Sequence, residues 1–449
     1  MFQRLSVLFF MIFTAATLLT ACGSSSSSPW TRPTTQAPAS EAPGSLDARG
    51  QWLNTDPQTG VQTDALLNQP GDSTGTFTPP PAAIPMQNLP PVKVALLVPL
   101  SGQGKEVGEA IMNAAQLALF DVGYDAFELM PRDTHGTAQG ASAAAESAAR
   151  DGAQLILGPL FADEVRAVKS VANRYNLNVI GFSTDWKLAG GNTFLMGFMP
   201  FGQVQRVVDY AATRGIRNVG VMIPDSEYGQ MVYSAFQNRA PVVGMQMTSS
   251  MRFTPGDKNM TDAVKQFSQY DLRHTSGAPA PFEAVMIPAG GTDARALANL
   301  LTYFDMPPQQ VRRIGTGLWD DVTLASDKNL QGAWFAAPEP SALYTFNTKY
   351  RNAYGITPPR VATLGYDAAA LAVVLARNGH MTQGAPAFDW NSIMNPNGFA
   401  GLDGIFRFRP DGLVDRGLAV LEYRNGQIVV VDPAPKTFQS PIQQSSVIQ

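Results

Sequence analysis

From Val92 onward the chain alternates between short apolar runs and helical stretches, and this alternation limits the fold more than any other feature. VKVALLVPL is continuous, apolar and β-branched, the composition of a strand covered on both faces. SGQGKEVGEAIMNAAQLALFD follows as a Gly-rich turn and a helix. FELMPRD, QLILGPL and NVIGFS read as further strands, separated by the helical stretches TAQGASAAAESAARDGA and ADEVRAVKSVANRYN. Strands joined by helices in this order predict a parallel sheet with helices on both faces. The pattern restarts after FLMGFMPFG. VQRVVDYAATRG, EYGQMVYSAFQNRA, MTDAVKQFSQYD and TDARALANLLTYFD alternate as helices with the strands NVGVMIP, VVGMQMTSS, FEAVMIPAG and RRIGTG, and QGAWFAAP adds another strand. Two helical stretches come next, SALYTFNTKYRNAYG and VATLGYDAAALAVVLARNG. The tail GIFRFRPDGLVDRGLAVLEYRNGQIVVVD reads as strands, with turns at Pro410-Asp411-Gly412 and Arg424-Asn425-Gly426. So long a series of units exceeds one comfortable core. The expectation is an α/β protein of two lobes, each a parallel sheet flanked by helices, with strand-end loops facing a shared cleft.

Residues 1–21 have the layout of a secretory signal peptide. Arg4 is the positive start, Val7 to Leu19 the apolar run, and small residues lead to Cys22. The run is short for a membrane span. Leu19-Thr20-Ala21-Cys22 resembles the bacterial lipobox. That resemblance implies a lipid thioether on Cys22, the only cysteine in the chain, which would otherwise be a lone reactive thiol. Gly23 stands where many inner-membrane lipoproteins carry aspartate. The resemblance therefore implies anchoring to the outer membrane, facing the periplasm, by this lipid alone. Residues 22–91, with SSSSSPWTRPTTQAPASEAP and TFTPPPAAIP, are too polar and Pro-rich to bury a core and are expected to form a disordered tether. Residues 436–449 are expected to be a flexible tail.

The formal net charge is −4 with 15% charged residues, so no basic surplus points to nucleic acid. Three histidines (His135, His274, His380) and one cysteine leave too few ligands for a zinc site built from His and Cys. All three histidines sit in turn-like contexts and are expected at the surface. Gly102-Gln103-Gly104 with Gly108 is G-x-G-x-x-x-G, which turn geometry explains better than a dinucleotide fingerprint. No nucleophile elbow or P-loop occurs. Asp320-Asp321 reads as helix capping. The expectation is a protein without catalysis, cofactor or metal.

The order of elements and the stretches VALLVPLSGQGKEVGEAIMNAAQLAL, DGAQLILGPLFADEV, NVIGFSTD, VGVMIPDSEYGQ and AVMIPAGGTDARALANLL resemble type I periplasmic binding proteins, the leucine-binding fold. The resemblance implies three crossings between lobes, placed near Met199 to Gly202, Ala336 to Ser341 and Asn395 to Leu402. Lobe 1 would then be 92–200 plus about 338–398, and lobe 2 about 201–337 plus 399–435. A narrower resemblance, carried by LLVPLSGQG, DGAQLILGPL, EAVMIPA, YDAAALA and LAVLEYRNGQIVVVDPAP, is to the C-terminal domain of penicillin-binding-protein activator lipoproteins. It implies a regulator of peptidoglycan synthesis with a penicillin-binding protein as partner. One departure is that the tether stands where the best-known members carry a helical-repeat domain. The alternative is a solute-binding component of an ABC transporter for amino acids or related small molecules. For a ligand in the cleft the candidates are Ser101, Gly102, Phe161, Ser183 and Thr184 from the first lobe. Asp225, Tyr228, Gly290 and Trp319 are the candidates from the second. The loop Gly158 to Asp163 lacks the hydroxyl that amino-acid binders of this fold commonly use.

Overall fold

The computed structural model describes residues 90–438 other than Lys258, so the signal peptide, Cys22, nearly all of the tether and the end of the tail lie outside the described residues. In the first lobe β1 (Val92–Val98), α1 (Lys105–Val122), β2 (Phe127–Asp133), α2 (Ala138–Arg150), β3 (Leu155–Leu157), α3 (Ala162–Arg174), β4 (Val179–Gly181) and β5 (Thr193–Leu195) follow one another. The strands form a parallel sheet of order β2-β1-β3-β4-β5. Strand β5 overlaps the start of FLMGFM, which the apolar pattern left without a strand. Side chains alternate across β1, so Val94 and Leu96 face one core and Ala95 and Leu97 the other. Both faces are covered, which is why β1 reads as an unbroken apolar run.

The second lobe starts with α4 (Pro200–Thr213). It continues through β6 (Asn218–Pro224), α5 (Glu227–Arg239), β7 (Gln246–Phe253), α6 (Thr261–Phe267), α7 (Tyr270–Ser276), β8 (Ala284–Met286), α8 (Gly291–Tyr303), β9 (Arg312–Gly315), α9 (Val322–Ala325) and β10 (Trp334–Ala337). MTDAVKQFSQYD is two helices rather than one, because Gln269 takes a left-handed conformation (φ 53°) between them. The chain returns to the first lobe with α10 (Pro340–Tyr354) and α11 (Ala362–Gln383). Helix α11 is buried on nearly every side and packs along α1. Gly365 permits that approach, since a Cβ there would lie 2.3 Å from the Ile111 carbonyl oxygen.

After α12 (Trp390–Ile393), strands β11 (Phe399–Gly401), β12 (Gly404–Phe408) and β13 (Val414–Arg416) form a small antiparallel sheet. Phe406, Phe408 and Val414 belong to the first lobe's core, whereas Leu418 and Val420 belong to the second's. The third crossing therefore lies at about residues 415–417, later than the Asn395 to Leu402 expected from sequence, and residues 399–414 pack with the first lobe. Strands β14 (Ala419–Arg424) and β15 (Gln427–Asp432) then join the second sheet, whose order is β15-β14-β10-β9-β8-β6-β7. That sheet is parallel from β7 to β10 and ends in an antiparallel edge. The β14–β15 turn uses positive φ at Asn425 (51°) and Gly426 (77°), as the Asn-Gly pair predicts.

Candidate functional site

The loops at the strand ends of the first lobe hold much of their own polarity in place. Asp133, ending β2, accepts backbone N–H bonds from Leu100 (2.9 Å), Ser101 (3.2 Å) and His135 (2.8 Å). Burial works against the charge, yet these bonds and the Ser101 hydroxyl hold the Asp133 carboxyl down to about 2. The Ser101 hydroxyl also lies 2.6 Å from Nδ1 of His135, a pairing that separation in sequence hides. The same Nδ1 is 3.1 Å from Asp133 Oδ2. A serine-histidine-aspartate relay needs serine and aspartate on opposite ring nitrogens, so this cluster is a loop clamp and not a triad. Gly102 sits beside it with φ 68°, and a Cβ there would meet the His135 carbonyl oxygen at 2.5 Å.

The other expected residues divide. Phe161 starts α3, and its N–H donates to Glu164. Ser183 is buried, its hydroxyl accepting from the Asp185 N–H at 3.1 Å, and Thr184 is exposed. Asp225 is exposed and pairs with Arg252 at 3.4 Å. Gly290 precedes α8. Trp319 cannot line a cleft: it is fully buried, its Nε1–H donates to the Ala289 carbonyl, and its ring stacks on Tyr423. His380 is buried rather than at the surface, with Nδ1 2.5 Å from the Tyr124 hydroxyl. Tyr228 is the only one of the nine expected cleft residues that borders the cavity described next. Its hydroxyl donates to Thr316 Oγ1 at 2.6 Å, and burial pushes the phenol up to about 12.

That cavity, of about 340 Å³, lies where the three crossings meet. Phe198 and Met199 come from the first crossing, Ala337 and Pro338 from the second, and Arg416 and Leu418 from the third. Gln203 of α4 ties in the loop after β9, its Oε1 accepting the Gly317 N–H at 2.7 Å. Most of the wall is apolar, and three charged residues face it: Asp320, Arg360 and Arg416. The size and the few polar groups on an apolar wall match what small-molecule sites require.

The charges form one cluster. Arg360, from the first lobe, pairs with Asp403 at 2.6 Å and reaches across to Asp320 of the second lobe at 3.4 Å. Asp321, not Asp320, caps α9, so the adjacent carboxylates have separate work. Asp403 is fully buried and also accepts from Thr363 Oγ1 at 2.7 Å. Arg416, whose side chain is 7% exposed, lies 3.6 Å from the buried Asp367 and donates Nη2–H to the Met196 carbonyl. Its Nε and Nη1 have no hydrogen-bond acceptor. Both guanidiniums lie over the Phe198 ring, at 4.8 Å (Arg360) and 5.4 Å (Arg416), within cation–π reach. Burial, with the charge of Asp403 behind it, pushes Asp367 up to about 7. Burial also opposes ionisation of Asp403, but Arg360 and Arg416 win and hold it below the usual carboxylate range. Burial raises Asp320 against the pull of Arg360. Among the described residues no cluster of His, Cys, Asp and Glu is arranged to hold a metal, and no helix is long and apolar enough to cross a membrane.

Residues 91–427 match the Periplasmic binding protein family. The chain belongs to that family. Among solved structures it is similar to an ABC transporter substrate-binding protein from Sphaerobacter thermophilus (TM-score 0.61, 20% identity, 77% of this chain and 98% of that one). It is also similar to a branched-chain amino acid ABC transporter periplasmic ligand-binding protein from Burkholderia xenovorans (TM-score 0.59, 17% identity, 78% and 97%). A third is the branched-chain amino acid transporter substrate-binding protein of Streptococcus pneumoniae in complex with isoleucine (TM-score 0.53, 18% identity, 76% and 100%). At these identities the likeness is one of fold. A curated relative, an uncharacterized protein of Rickettsia prowazekii, is 22% identical over 175 residues. That match spans 39% of this chain and 46% of the relative.

Proposed function

We propose that this protein is a periplasmic solute-binding protein that takes a small organic molecule between its lobes and presents it to a membrane importer. The observation that carries this reading is the cavity of about 340 Å³ at the junction of the three crossings. A site walled by the crossings themselves changes shape whenever the lobes reorient, which couples binding to hinge closure. Family membership and the ABC transport proteins of the same fold support it. The test is native mass spectrometry on the full chain, followed by thermal-shift measurements against amino acids, organic acids, peptides and cell-wall fragments. A small molecule should travel with the protein. Its readdition at about 100 times Kd should raise stability by about 2.7 kcal/mol. A bare mass together with no thermal response would overturn the reading.

The second reading is regulation of a peptidoglycan synthase from an outer-membrane anchor at Cys22. It rests on the lipobox resemblance and on the closing LAVLEYRNGQIVVVDPAP, and the loop Gly158 to Asp163, without a hydroxyl, speaks for it against an amino-acid clamp. The comparisons back solute binding better. Stimulation of a purified penicillin-binding protein by the full chain would favour the regulator.

A further inference from the structure

We propose that residues 433–438 form a fourth crossing of the hinge, a strap that runs from the second lobe back to the first and holds the lobes together through the seating of Phe438. This inference concerns the balance between arrangements of the lobes and does not depend on what the cleft binds.

The sequence PAPKTF explains why the chain leaves the sheet after β15. Pro433 has no N–H to give to the ladder, and Pro433 and Pro435 fix two of three successive φ angles. The segment therefore does not prolong the strand and is stiffer than an ordinary tail. Pro433, Pro435, Lys436 and Thr437 are exposed, whereas Ala434 and Phe438 are partly buried, one at each lobe. Ala434 packs against the second lobe's core. Phe438 reaches the first lobe, where its ring lies 4.5 Å from the Arg407 guanidinium of β12 and rests against Gly398. A Cβ on Gly398 would come within 2.8 Å of that ring, so the glycine leaves the seat open.

Between its ends the strap meets the covalent crossings. The Ala434 N–H donates to Glu339 Oε1 at 2.9 Å, within the second crossing. A Cβ on Gly417, in the third, would lie 3.1 Å from the Pro435 carbonyl oxygen. Arg206 of α4, one turn after the first, donates to the carbonyls of Pro433 (3.0 Å) and Leu418 (2.8 Å) and pairs with Asp432 at 2.7 Å. The strap is thus tied firmly at the second lobe and the crossings, while its first-lobe end is held by a single ring. In this same arrangement the lobes also touch through Arg360 with Asp320 and Lys187 with Glu227, so it is a closed one. The covalent crossings bend with every bond intact, whereas Phe438 must leave its seat if the first lobe turns away from the strap. A contact made in one arrangement and lost in another shifts the balance toward the first by its own free energy. Under the solute-binding reading, affinity scales with the closed fraction, so the strap also tunes affinity.

The experiment is a pulsed electron–electron spin-resonance distance measurement on the full chain with Cys22→Ser, so that labels at Glu106→Cys and Thr292→Cys occupy its only thiols. Both positions are exposed and lie in the first turns of helices that follow strand ends, α1 in the first lobe and α8 in the second. Phe438→Ala should raise the ratio of open to closed lobes by about twofold to thirtyfold, the range for one cation–π contact between its exposed and desolvated limits. The rise appears as added weight at longer distances. Phe438→Tyr, which keeps the ring, should give the parent's distribution. Circular dichroism checks that both variants keep the fold. A distribution unmoved or shortened by Phe438→Ala would overturn the strap, because the segment would then follow the first lobe as it turns. An equal opening in Phe438→Tyr would overturn it too, since the seated ring would not be what holds the lobes. Neither result bears on the mass-spectrometric test of solute binding.

Discussion

The strand-end loops of the first lobe and the hinge cavity are both polar regions at the cleft, and they use their polarity in opposite ways. In the loops Asp133 collects three backbone N–H groups, Ser101 meets His135, and Ser183 is taken up by the Asp185 N–H. The polar residues there tie the loop after β1 to the loop after β2. At the hinge Arg360, Arg416, Asp320, Asp367 and Asp403 come from segments up to 96 positions apart (Asp320 to Arg416), and the fit is incomplete: Arg416 Nε and Nη1 and Asp367 Oδ2 have no hydrogen-bond partner. The loop cluster joins the ends of two neighbouring strands, β1 and β2, and lies within one lobe. A cluster drawn from three crossings is fixed by the lobes, so its shortfall is left for a ligand, a water or a movement to make good. Polar residue type at a loop is therefore a poor guide to a site.

The sharpest way to break this comparison is to remove a charge from each region. Asp403→Ala strips the buried partner of Arg360 and should cost about 3–5 kcal/mol in urea unfolding, as for one half of any buried pair. A loss under about 1 kcal/mol would mean that the hinge cluster is solvated and not a buried network. Next comes pH. The native pKa of Asp367 is raised, so the folded state holds a proton that the unfolded chain releases near 4. Stability from this group is therefore greatest below the unfolded value and falls as pH rises from about 4 toward about 7. Each unit is worth about 1.4 kcal/mol, so the decline should amount to a few kcal/mol. Asp367→Asn should flatten it. An unfolding free energy that rises over the same window in both proteins would show Asp367 to be ionised throughout.

The alternation of apolar runs and helices made the two lobes legible, since covering a sheet on both faces leaves unbroken strands such as VKVALLVPL. The Asn-Gly turn at 425–426 was legible for a local reason, two consecutive positive φ angles. What failed did so where contacts are long-range. The third crossing was set too early because GIFRF reads as a strand in either lobe, and only the packing of Phe406 and Phe408 assigns it to the first. Trp319 follows a strand end, which suggests a cleft, but the ring turns into the core against Tyr423. Arg360 and Arg416 sit in PPRVATLG and LVDRGLAV, which carry no motif. Their nearness to the crossings was the one available signal, and it gains meaning only once the crossings are placed.

On the loop side, Asp133→Ala should cost about 1–3 kcal/mol by leaving the N–H groups of Leu100, Ser101 and His135 without their acceptor. It should leave ligand binding at the hinge unchanged, because the clamp serves its own loops. Weakened binding in a variant that stays folded would show that the two regions are one site.

The smallest effect belongs to the cleft mouth. Lys187 of the first lobe and Glu227 of the second approach to 3.8 Å, with side chains 64% and 86% exposed. An exposed pair of this kind contributes about 0–1 kcal/mol and fades with salt. Lys187→Ala should therefore leave unfolding within about 0.5 kcal/mol of the parent protein. If the hinge cluster alone couples the lobes, ligand affinity in this variant should match that of the parent and show the same salt dependence. A marked loss of affinity, restored by charge reversal at both positions, would place part of the coupling at the mouth. The difference between the loop clamp at Asp133 and the unmet hinge would then no longer explain how the lobes respond to a ligand.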